Sequence, residues 1–148
     1  MKFIDIFSGI GGFRSGLEKA GHECIGHIEI DKYANKSYEA IYGGDDLIGT
    51  DIRAITDRRL REFRGECDLV VGGFPCQAFS IAGHQGGFQD TRGTLFFELA
   101  RVLEQIQPQV FVFENVKNLL SHDKGQTFEV MLKTLDELRY DLQWQVLK

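Results

Sequence analysis

The sequence predicts an α/β fold, a mostly parallel sheet with helices on both faces. Two observations carry this prediction. The spacing of apolar residues alternates along the chain between a strand-like and a helix-like period, and strands that alternate with helices form parallel sheets. A glycine-rich turn at residues 8–12 joins the first strand-like run directly to a helical one. The length of 148 residues, of which 43% are hydrophobic and 26% charged, predicts a single globular domain.

The individual elements follow in order from this alternation. The predicted strands are short apolar runs at residues 2–7, 23–29, 50–52, 68–72, 110–114 and 141–147. The predicted helices have helical apolar spacing and cover residues 13–20, 32–42, 56–64, 94–106 and 126–139. Gly21 ends the first helix, and Thr56 caps the third. Pro108 prevents the fourth helix from continuing, and Asp123 with Gln126 caps the fifth.

The longest connection, residues 73–93, follows the fourth strand. It is too long for a neutral connection in a domain of this size, because loops of such length are usually functional or disordered. Its glycines, its phenylalanines and its Pro75-Cys76 pair indicate a mobile lid. We interpret residues 43–49 and 116–125 as shorter loops.

Charge and cysteine usage exclude several classes of protein. The formal net charge is −5, and an acidic chain is a poor sole binder of nucleic acid, whose affinity comes mostly from phosphate neutralisation. No apolar run approaches the roughly 18 residues of a membrane helix. The N-terminus has an acid at position 5 and no small-residue cleavage site, which disfavours a signal peptide. The cysteines at positions 24, 67 and 76 form no Cys-x-x-Cys pair and predict free thiols in a reducing cytoplasm.

The glycine-rich turn is the first candidate binding element. From Phe7 it reads Phe-Ser-Gly-Ile-Gly-Gly-Phe, and glycines there let the backbone approach a ligand at a helix N-terminus. A dinucleotide fingerprint that began at Gly9 would need a third glycine at position 14, where Arg14 stands. A nicotinamide or flavin cofactor is therefore disfavoured. By itself, the segment is equally consistent with a tight strand-to-helix turn.

Three carboxylates follow or end predicted strands. Glu29 is placed to bind both ribose hydroxyls of a nucleoside, although a solvated strand-end carboxylate is the simpler interpretation. Asp51 could accept from an adenine amino group or serve equally as a local cap. Glu114 ends an apolar strand, where burial is costly without a partner. Buried there, it would have a raised pKa and act as a proton donor; the alternative is a carboxylate hydrogen-bonded to loop amides.

Cys76 is the candidate nucleophile. It follows a proline, lies just past a strand end and opens the long loop. A reactive thiol needs exposure and a lowered pKa, and a strand-end loop provides both. Cys24 and Cys67 lie in or beside strands and are interpreted as small buried hydrophobes.

The combination is more informative than any single motif. The glycine turn, Glu29, Asp51, Cys76 and Glu114 lie at the carboxyl ends of five different predicted strands. In an open parallel sheet these ends share one edge, and ligands bind there. One site at that edge is a simpler explanation than five coincidences.

Two other groups of residues favour structural roles. His22, Cys24 and His27 have metal-binding residue types, but strand alternation places His22 and Cys24 on one side and His27 on the other. The arginines at positions 58, 59, 61 and 64 alternate with acidic residues and form a solvated helix face.

The motifs together resemble those of the DNA (cytosine-5)-methyltransferases, and the resemblance covers essentially the whole chain. The matching segments are Asp5-Ile6-Phe7-Ser8-Gly9-Ile10-Gly11-Gly12, Glu29-Ile30 before Asp31-Lys32-Tyr33-Ala34, Asp51-Ile52, Gly73-Phe74-Pro75-Cys76-Gln77-Ala78-Phe79-Ser80, Arg92-Gly93-Thr94-Leu95-Phe96, and Glu114-Asn115-Val116. The Phe-Pro-Cys-Gln and Glu-Asn-Val segments, at this spacing, are the most specific. The resemblance implies a Rossmann-like class I S-adenosylmethionine-dependent methyltransferase fold.

The resemblance also implies a cofactor, a substrate and a set of roles. The cofactor is S-adenosylmethionine, with S-adenosylhomocysteine as product, and the substrate is a cytosine flipped from double-stranded DNA. Cys76 and Glu114 are the implied catalytic residues. The implied cofactor-binding residues are Phe7, Gly9, Ile10, Gly11 and Gly12 at the glycine turn, Glu29 and Ile30, Asp51 and Ile52, Pro75, and Leu95. Ile30 stands where the family commonly has tryptophan, which makes that adenine contact apolar and not aromatic.

The chain is expected to be the N-terminal part, residues 1–148, of a catalytic domain of the restriction-modification type. The family's later Gln-x-Arg-x-Arg motif and its target recognition domain are absent from it. We therefore expect a fold incomplete at the C-terminus, a missing segment or second subunit, and little methylation activity from this chain alone. Two alternatives stay open: a tRNA cytosine-5 methyltransferase on the same site, and a non-catalytic cofactor-binding or assembly subunit.

Overall fold

The structure is a computed structural model that describes residues 1–74 and 95–148. The chain divides into two compact units. One contains Met1–Gly73 and Gln105–Glu114, and the other contains Phe74–Glu104 and Asn115–Lys148. Residues 75–93 of the predicted lid lie outside the described part, and the lid stays a prediction.

The first unit is built on a five-stranded parallel sheet. Its strands are β1 (Lys2–Ile6), β2 (Glu23–Ile28), β3 (Leu47–Gly49), β4 (Leu69–Gly73) and β5 (Val110–Glu114). The spatial order is β3-β2-β1-β4-β5, and every pair is parallel. The chain therefore proceeds outward from β1 to β3 and then returns to the other side of β1. This reversal makes the carboxyl ends of β1 and β4 the topological switch point, where ligands bind in open α/β sheets.

Five α-helices accompany the strands in the described residues. They are α1 (Gly12–Lys19), α2 (Lys32–Tyr42), α3 (Asp57–Arg61), α4 (Leu95–Ile106) and α5 (Gln126–Glu137). Shorter 3₁₀ turns occupy Ile52–Ala54, Lys117–Leu120 and His122–Gly125. The predicted α/β class is confirmed, and α2 and β5 have the predicted bounds. Among helices in the described ranges, none combines the length and apolar character that spanning a membrane requires.

Two predicted helix ends are confirmed in detail. Gly21 has a φ of 89° and follows α1 in a Schellman arrangement. Its N–H donates to the carbonyl of Glu18 at 3.0 Å, and the N–H of His22 donates to that of Leu17 at 3.0 Å. The hydroxyl of Thr56 accepts from the N–H of Arg59 at 3.1 Å and so caps α3.

The core of the first unit lies around β1, the central strand. Residues 3–6 are all buried, so both faces of this strand are covered. On one face Phe3 packs with Leu69 and Val71, and Phe13 and Leu17 of α1 cover them. At the edge of the described sheet, Val110 and Val112 of β5 are exposed. The apolar run of β1 thus reflects a strand buried on both sides.

A β-bulge in β2 corrects the predicted orientation of His27. Phe3 pairs with Cys24 but Ile4 pairs with Gly26, which leaves one extra residue, Ile25, in β2. The extra residue reverses the alternation beyond it. Cys24 and His27 therefore both reach Tyr38, through a 3.7 Å Sγ···Oη contact and a stacked ring at 3.7 Å. The sequence pattern could not show this, because alternation assumes an unbroken ladder.

The third strand was predicted three residues too late. It covers Leu47–Gly49, within the predicted loop, because the backbone there pairs with His27 and Ile28 of β2. The predicted residues 50–52 instead lead into the Ile52–Ala54 turn. The carboxylate of Asp51 accepts from the N–H of Arg53 at 3.0 Å, a local bond that competes with strand pairing.

Other predicted boundaries are also wrong. The third helix ends at Arg61, not residue 64, because the following bonds run from i to i−3, as in Arg64 to Arg61. The fifth helix ends at Glu137, before Arg139 at a φ of 70°. Gly125, without a side-chain bond, occupies its N-cap position in place of Asp123. Residues 141–147 are not a strand, since no described strand pairs with them.

Candidate active site at the carboxyl edge of the sheet

The glycine turn connects β1 to α1 through unusual backbone conformations. Phe7 has a φ of 54°, which is uncommon for a residue with a side chain, and Gly9 and Gly11 have φ values of 56° and 96°. The N–H of Ser8 donates to the carbonyl of Ile28 at 3.1 Å, and the N–H of Gly11 donates to that of Ser8 at 2.9 Å. These bonds hold the turn beside the end of β2.

Glu29 joins this turn to the start of α2. Its Oε1 accepts from the N–H of Gly9 at 2.8 Å, and its Oε2 accepts from the N–H of Asp31 at 2.9 Å. A carboxylate has about four lone-pair sites, so each oxygen retains capacity for another donor. The two oxygens are thus fixed in place and still able to accept from a pair of hydroxyl groups.

The N-terminus of α2 supports Glu29 from the other side. Asp31 caps the helix by accepting from the N–H groups of Tyr33 and Ala34 at 2.8 and 2.9 Å. The amide of Asn35 donates to the carbonyl of Glu29 at 2.7 Å. Both the backbone and the side chain of Glu29 are therefore held before any ligand binds.

Exposed apolar side chains lie beside these polar groups in sequence. Ile10 of the turn is 61% exposed and Ile30, next to Glu29, is 63% exposed. Phe7 is half-buried, and Gly12 is exposed at the first position of α1. Large exposed apolar residues next to the two carboxylate oxygens of Glu29 suit a ligand that has both an apolar surface and hydroxyl groups.

The carboxylate of Asp51 bonds to a residue only two positions away in the chain, Arg53. Both oxygens of Asp51 pair with the guanidinium of Arg53, at 3.1 Å each. This hydrogen bonding to Arg53 lowers the pKa of Asp51. Ile52 is buried at 2% exposure. The observed role of Asp51 is a cap, and its contact with adenine stays a prediction.

Glu114 ends β5, as predicted, but it is exposed and not buried. β5 lies at the edge of the described sheet, and its end is open to solvent, which explains the difference. Gly73 lies opposite Glu114 in the β4–β5 ladder. A Cβ atom added to Gly73 would lie 2.9 Å from Glu114 Oε2, so glycine provides the space beside this carboxylate.

In the second unit, Asn115 holds Phe74, the residue that precedes the predicted Pro75-Cys76 pair. The amide of Asn115 donates to the carbonyl of Phe74 at 2.8 Å, and its oxygen accepts from the N–H of Val116 at 2.7 Å. Phe74 is buried, and its ring lies 5.9 Å from that of Phe96. Leu95 is half-buried at the start of α4. Sequence reasoning quoted Asn115 only as part of a motif and did not predict this anchoring role.

Pro75 and Cys76 lie outside the described residues, so their predicted roles stay predictions. Cys24 and Cys67 are buried free thiols, as predicted. Burial raises the pKa of Cys24, and it raises that of Cys67 to about 11, which makes both poor nucleophiles.

Asp5 is a buried carboxylate that sequence reasoning did not select. It is fully buried in β1, and no described residue forms a hydrogen bond with either of its oxygens. Burial raises its pKa to about 8; Arg14 opposes this effect and Glu29 adds to it. The signal was visible as a lone acid inside the apolar run Lys2–Ile6.

Comparison with known proteins identifies the family. A family model described as C-5 cytosine-specific DNA methylase matches residues 1–148. The chain belongs to this family. Its sequence is 46% identical over 147 residues to the type II methyltransferase M.HhaI of Haemophilus parahaemolyticus, covering 99% of this chain and 43% of that protein. It is 50% identical over 136 residues to M.HpaII of Haemophilus parainfluenzae, covering 91% and 37%.

The C-5 methylase relatives are much longer than this chain. The orphan methyltransferase M.SPRI of Bacillus phage SPR is 47% identical over 150 residues, which cover 99% of this chain and 33% of the relative. The chain thus spans well under half of M.HhaI, M.HpaII and M.SPRI. The motif-based recognition of the family is confirmed.

Solved structures support the C-5 methylase fold. A Dnmt2 methyltransferase of Spodoptera frugiperda matches with a TM-score of 0.72 at 23% identity, covering 93% of this chain and 41% of that one. A prophage-encoded DNA modification methyltransferase of E. coli matches with a TM-score of 0.71 at 24% identity, covering 93% and 38%. The Rossmann-like class I methyltransferase fold predicted from the motifs is confirmed.

Proposed function

We propose that this chain is the cofactor-binding and cysteine-bearing part of an enzyme that methylates C5 of cytosine in DNA. The observation that carries the proposal is the Glu29 carboxylate, which is hydrogen-bonded to the glycine turn at 2.8 Å in a chain that matches the family throughout. This pair stands at the carboxyl ends of β1 and β2, next to the switch point of the sheet.

The residues present fit S-adenosylmethionine. The remaining lone pairs of Glu29 suit the two ribose hydroxyls, and the turn suits the methionine part. Ile10 and Ile30 offer exposed apolar surface to the adenosine. The residues assigned to complete this site are Phe7, Gly9, Gly11, Gly12, Asp51, Ile52, Pro75 and Leu95. When bound, the cofactor supplies an electrophilic methyl group on a sulfonium.

Cys76 and Glu114 would act on the cytosine ring. The Cys76 thiolate would form a bond to C6, and the electron pair of the C5–C6 double bond would move to C5, which would take the methyl group as the bond from that group to the cofactor sulfur breaks. Glu114 holds N3 and the exocyclic amine and so offsets charge that develops on the ring. Loss of the C5 proton returns an electron pair to the ring and expels Cys76 as thiolate. The loop at residues 78–93 would close over DNA and exclude water.

A further segment or subunit would supply DNA recognition. The net charge of −5 disfavours phosphate binding by this chain alone, and the relatives are more than twice as long. We assign to that part the target recognition domain and an arginine motif for the flipped base. A bacterial or phage enzyme of this kind would act in the cytoplasm, where DNA and S-adenosylmethionine occur.

Calorimetric titration of S-adenosylmethionine into this chain tests the proposal. Glu29→Ala removes both carboxylate acceptors and is expected to weaken binding about tenfold or more, because hydrogen bonds to a charged group contribute roughly 1.5–3 kcal/mol each. Glu23→Ala is the matched control, since Glu23 is exposed at the start of β2, whereas Glu29 directly follows the end of that strand. The control is expected to bind as the unaltered chain does.

Equal binding by the Glu29 and Glu23 variants would refute the assigned site. A separate experiment identifies the nucleic acid that accepts the methyl group. The chain is incubated with its complementing segment, labelled cofactor and either duplex DNA or tRNA. We expect label in DNA. Label in tRNA alone would support the RNA methyltransferase alternative. Transfer that persists after Cys76→Ser would support an assembly role for this chain.

A further inference from the structure

The glycine turn is held from behind by a tyrosine of α2. The hydroxyl of Tyr42 donates to the carbonyl of Gly11 at 3.1 Å. The ring of Tyr42 packs so closely that a Cβ atom added to Gly11 would lie 2.5 Å from Tyr42 Cε2. Gly11 is buried and has a φ of 96°. Tyr42 therefore fixes the position of the peptide that follows Gly11, and its hydroxyl shares the Gly11 carbonyl with the N–H of Ser15, which donates to it at 2.9 Å.

The orientation of this peptide sets the direction of the Gly12 N–H, for which the backbone of the described residues provides no acceptor. In a planar trans peptide the C=O and N–H groups point in opposite directions. Because the Gly11 carbonyl accepts from both Tyr42 and the N–H of Ser15, the N–H of Gly12 points away from these two donors. A Cβ atom at Gly12 would meet nothing within 4 Å, so the space on the side-chain side of Gly12 is open. The Gly12 N–H is one of the first-turn donors that have no partner within a helix.

Arg14 holds Tyr42 in turn. Its guanidinium lies 4.4 Å from the centre of the Tyr42 ring and 5.5 Å from that of Tyr38. It also donates to Tyr38 Oη at 3.2 Å, to Asp46 Oδ2 at 2.9 Å and to Glu18 Oε1 at 2.7 Å. With a side chain only 10% exposed, Arg14 is a rigid link between α1 and α2. It stands where a dinucleotide fingerprint would have its third glycine.

We propose that Tyr42 is a positioning residue that aims the Gly12 N–H at the amino-acid part of the cofactor, and that Arg14 orients Tyr42. This inference rests on the proposed function, since it assigns the methionine part of the ligand to the glycine turn. The role proposed for Tyr42 concerns only one part of the ligand. Loss of the Tyr42 hydroxyl weakens contacts to the amino-acid part and leaves those to the nucleoside part intact.

Two ligands separate these contacts. S-Adenosylmethionine carries both parts, whereas 5′-methylthioadenosine retains the nucleoside and lacks the amino-acid part. By calorimetry on this chain, Tyr42→Phe is expected to weaken S-adenosylmethionine about three- to tenfold, the range of one neutral hydrogen bond. Its affinity for 5′-methylthioadenosine is expected to be unchanged. Glu29→Ala, which removes the ribose acceptors, weakens both.

Matched variants exclude a general loss of structure. Tyr33→Phe removes a hydroxyl from the same helix, where the ring is 68% exposed and contacts the ammonium of Lys32 at 5.0 Å. It is expected to leave both affinities unchanged. Arg14→Lys keeps the charge but loses the planar contacts, and its effect on S-adenosylmethionine should overlap with that of Tyr42→Phe and not add to it.

The outcomes distinguish this inference from the proposed function. If the unaltered chain binds neither ligand, the proposed function fails, and this inference fails with it. If it binds both and Tyr42→Phe weakens them equally or not at all, only the positioning role is overturned. Additive effects of the Arg14 and Tyr42 variants would overturn the role of Arg14.

Discussion

Three carboxylates of the first unit show how environment separates residues of one chemical type. Asp5 is fully buried without a described partner, Glu29 is held by two backbone N–H groups, and Glu114 is exposed at the end of an edge strand. Of the three, only Asp5 is buried without a hydrogen bond from a described residue, which disfavours its charged form. Glu29, the proposed ribose-binding carboxylate, is instead held in place by its hydrogen bonds.

Asp5→Asn is expected to stabilise the protein at neutral and alkaline pH. The pKa of Asp5 is raised from 3.8 to about 8 by burial, which Arg14 opposes and Glu29 reinforces. A raised carboxyl pKa means that stability is fully present below pH 4 and falls as pH rises to 8. Between pH 5 and pH 8 this loss is roughly 3–4 kcal/mol. The asparagine variant, which cannot ionise, should not show it.

Urea unfolding at pH 5 and pH 8 measures this effect. Asp45→Asn is the control, because Asp45 is exposed in the loop before β3. It should keep the pH dependence of the unaltered chain. A parallel pH dependence for the Asp5 variant would show that Asp5 is not an ionising buried group.

At the scale of elements, the stability of α1 depends on the glycine at its N-terminus. Gly11 at its N-cap has a left-handed φ of 96° and is confined by the rings of Tyr42 and Tyr38. Gly16, within the same helix, has nothing within 4 Å of an added Cβ. Gly11 is thus confined by its neighbours and Gly16 is not, although the sequence shows only two glycines five positions apart.

Substitution of these glycines by alanine should change stability in opposite directions. Gly16→Ala is expected to raise the free energy of unfolding by about 0.5–1 kcal/mol, since alanine loses less entropy in a helix. Gly11→Ala is expected to lower it by about 2 kcal/mol or more, because a Cβ there is strained and meets Tyr42. Thermal or urea unfolding of both variants checks this, and a stabilising Gly11 variant would contradict the geometry.

At the scale of the whole molecule, the strand order locates the proposed site. β2 and β3 lie on one side of β1, and β4 and β5 lie on the other. The glycine turn and Glu29 therefore follow strands that meet next to the reversal point, while Glu114 ends the strand beyond β4. The family relationship adds that M.HhaI, with 46% identity, is more than twice as long.

This length difference predicts that the chain alone transfers little methyl to DNA. The net charge of −5 gives weak attraction to phosphates, and we propose that the arginine motif for the flipped base belongs to the additional length. Transfer of labelled methyl to duplex DNA should fall to background for this chain and rise when the remaining part of such an enzyme is added. Robust transfer by the chain alone would contradict the expectation.

The sequence by itself determined the family, the parallel α/β class and most of the regular elements. α2 at Lys32–Tyr42 and β5 at Val110–Glu114 have the predicted bounds, because periodicity and end residues act locally. The carboxyl-edge positions of the glycine turn, Glu29 and Glu114 follow from the same alternation. Each of these features depends on residues that are near one another in the chain.

The tertiary structure decided what depends on distant partners. The bulge at Ile25 turned His27 toward Tyr38, and pairing with β2 placed β3 at Leu47–Gly49. Burial of Asp5 and exposure of Glu114 follow from the central and edge positions of β1 and β5. The bond from Tyr42 to Gly11 joins residues 31 positions apart. Packing between elements that are distant in the sequence sets these contacts, and a local residue pattern therefore does not predict them.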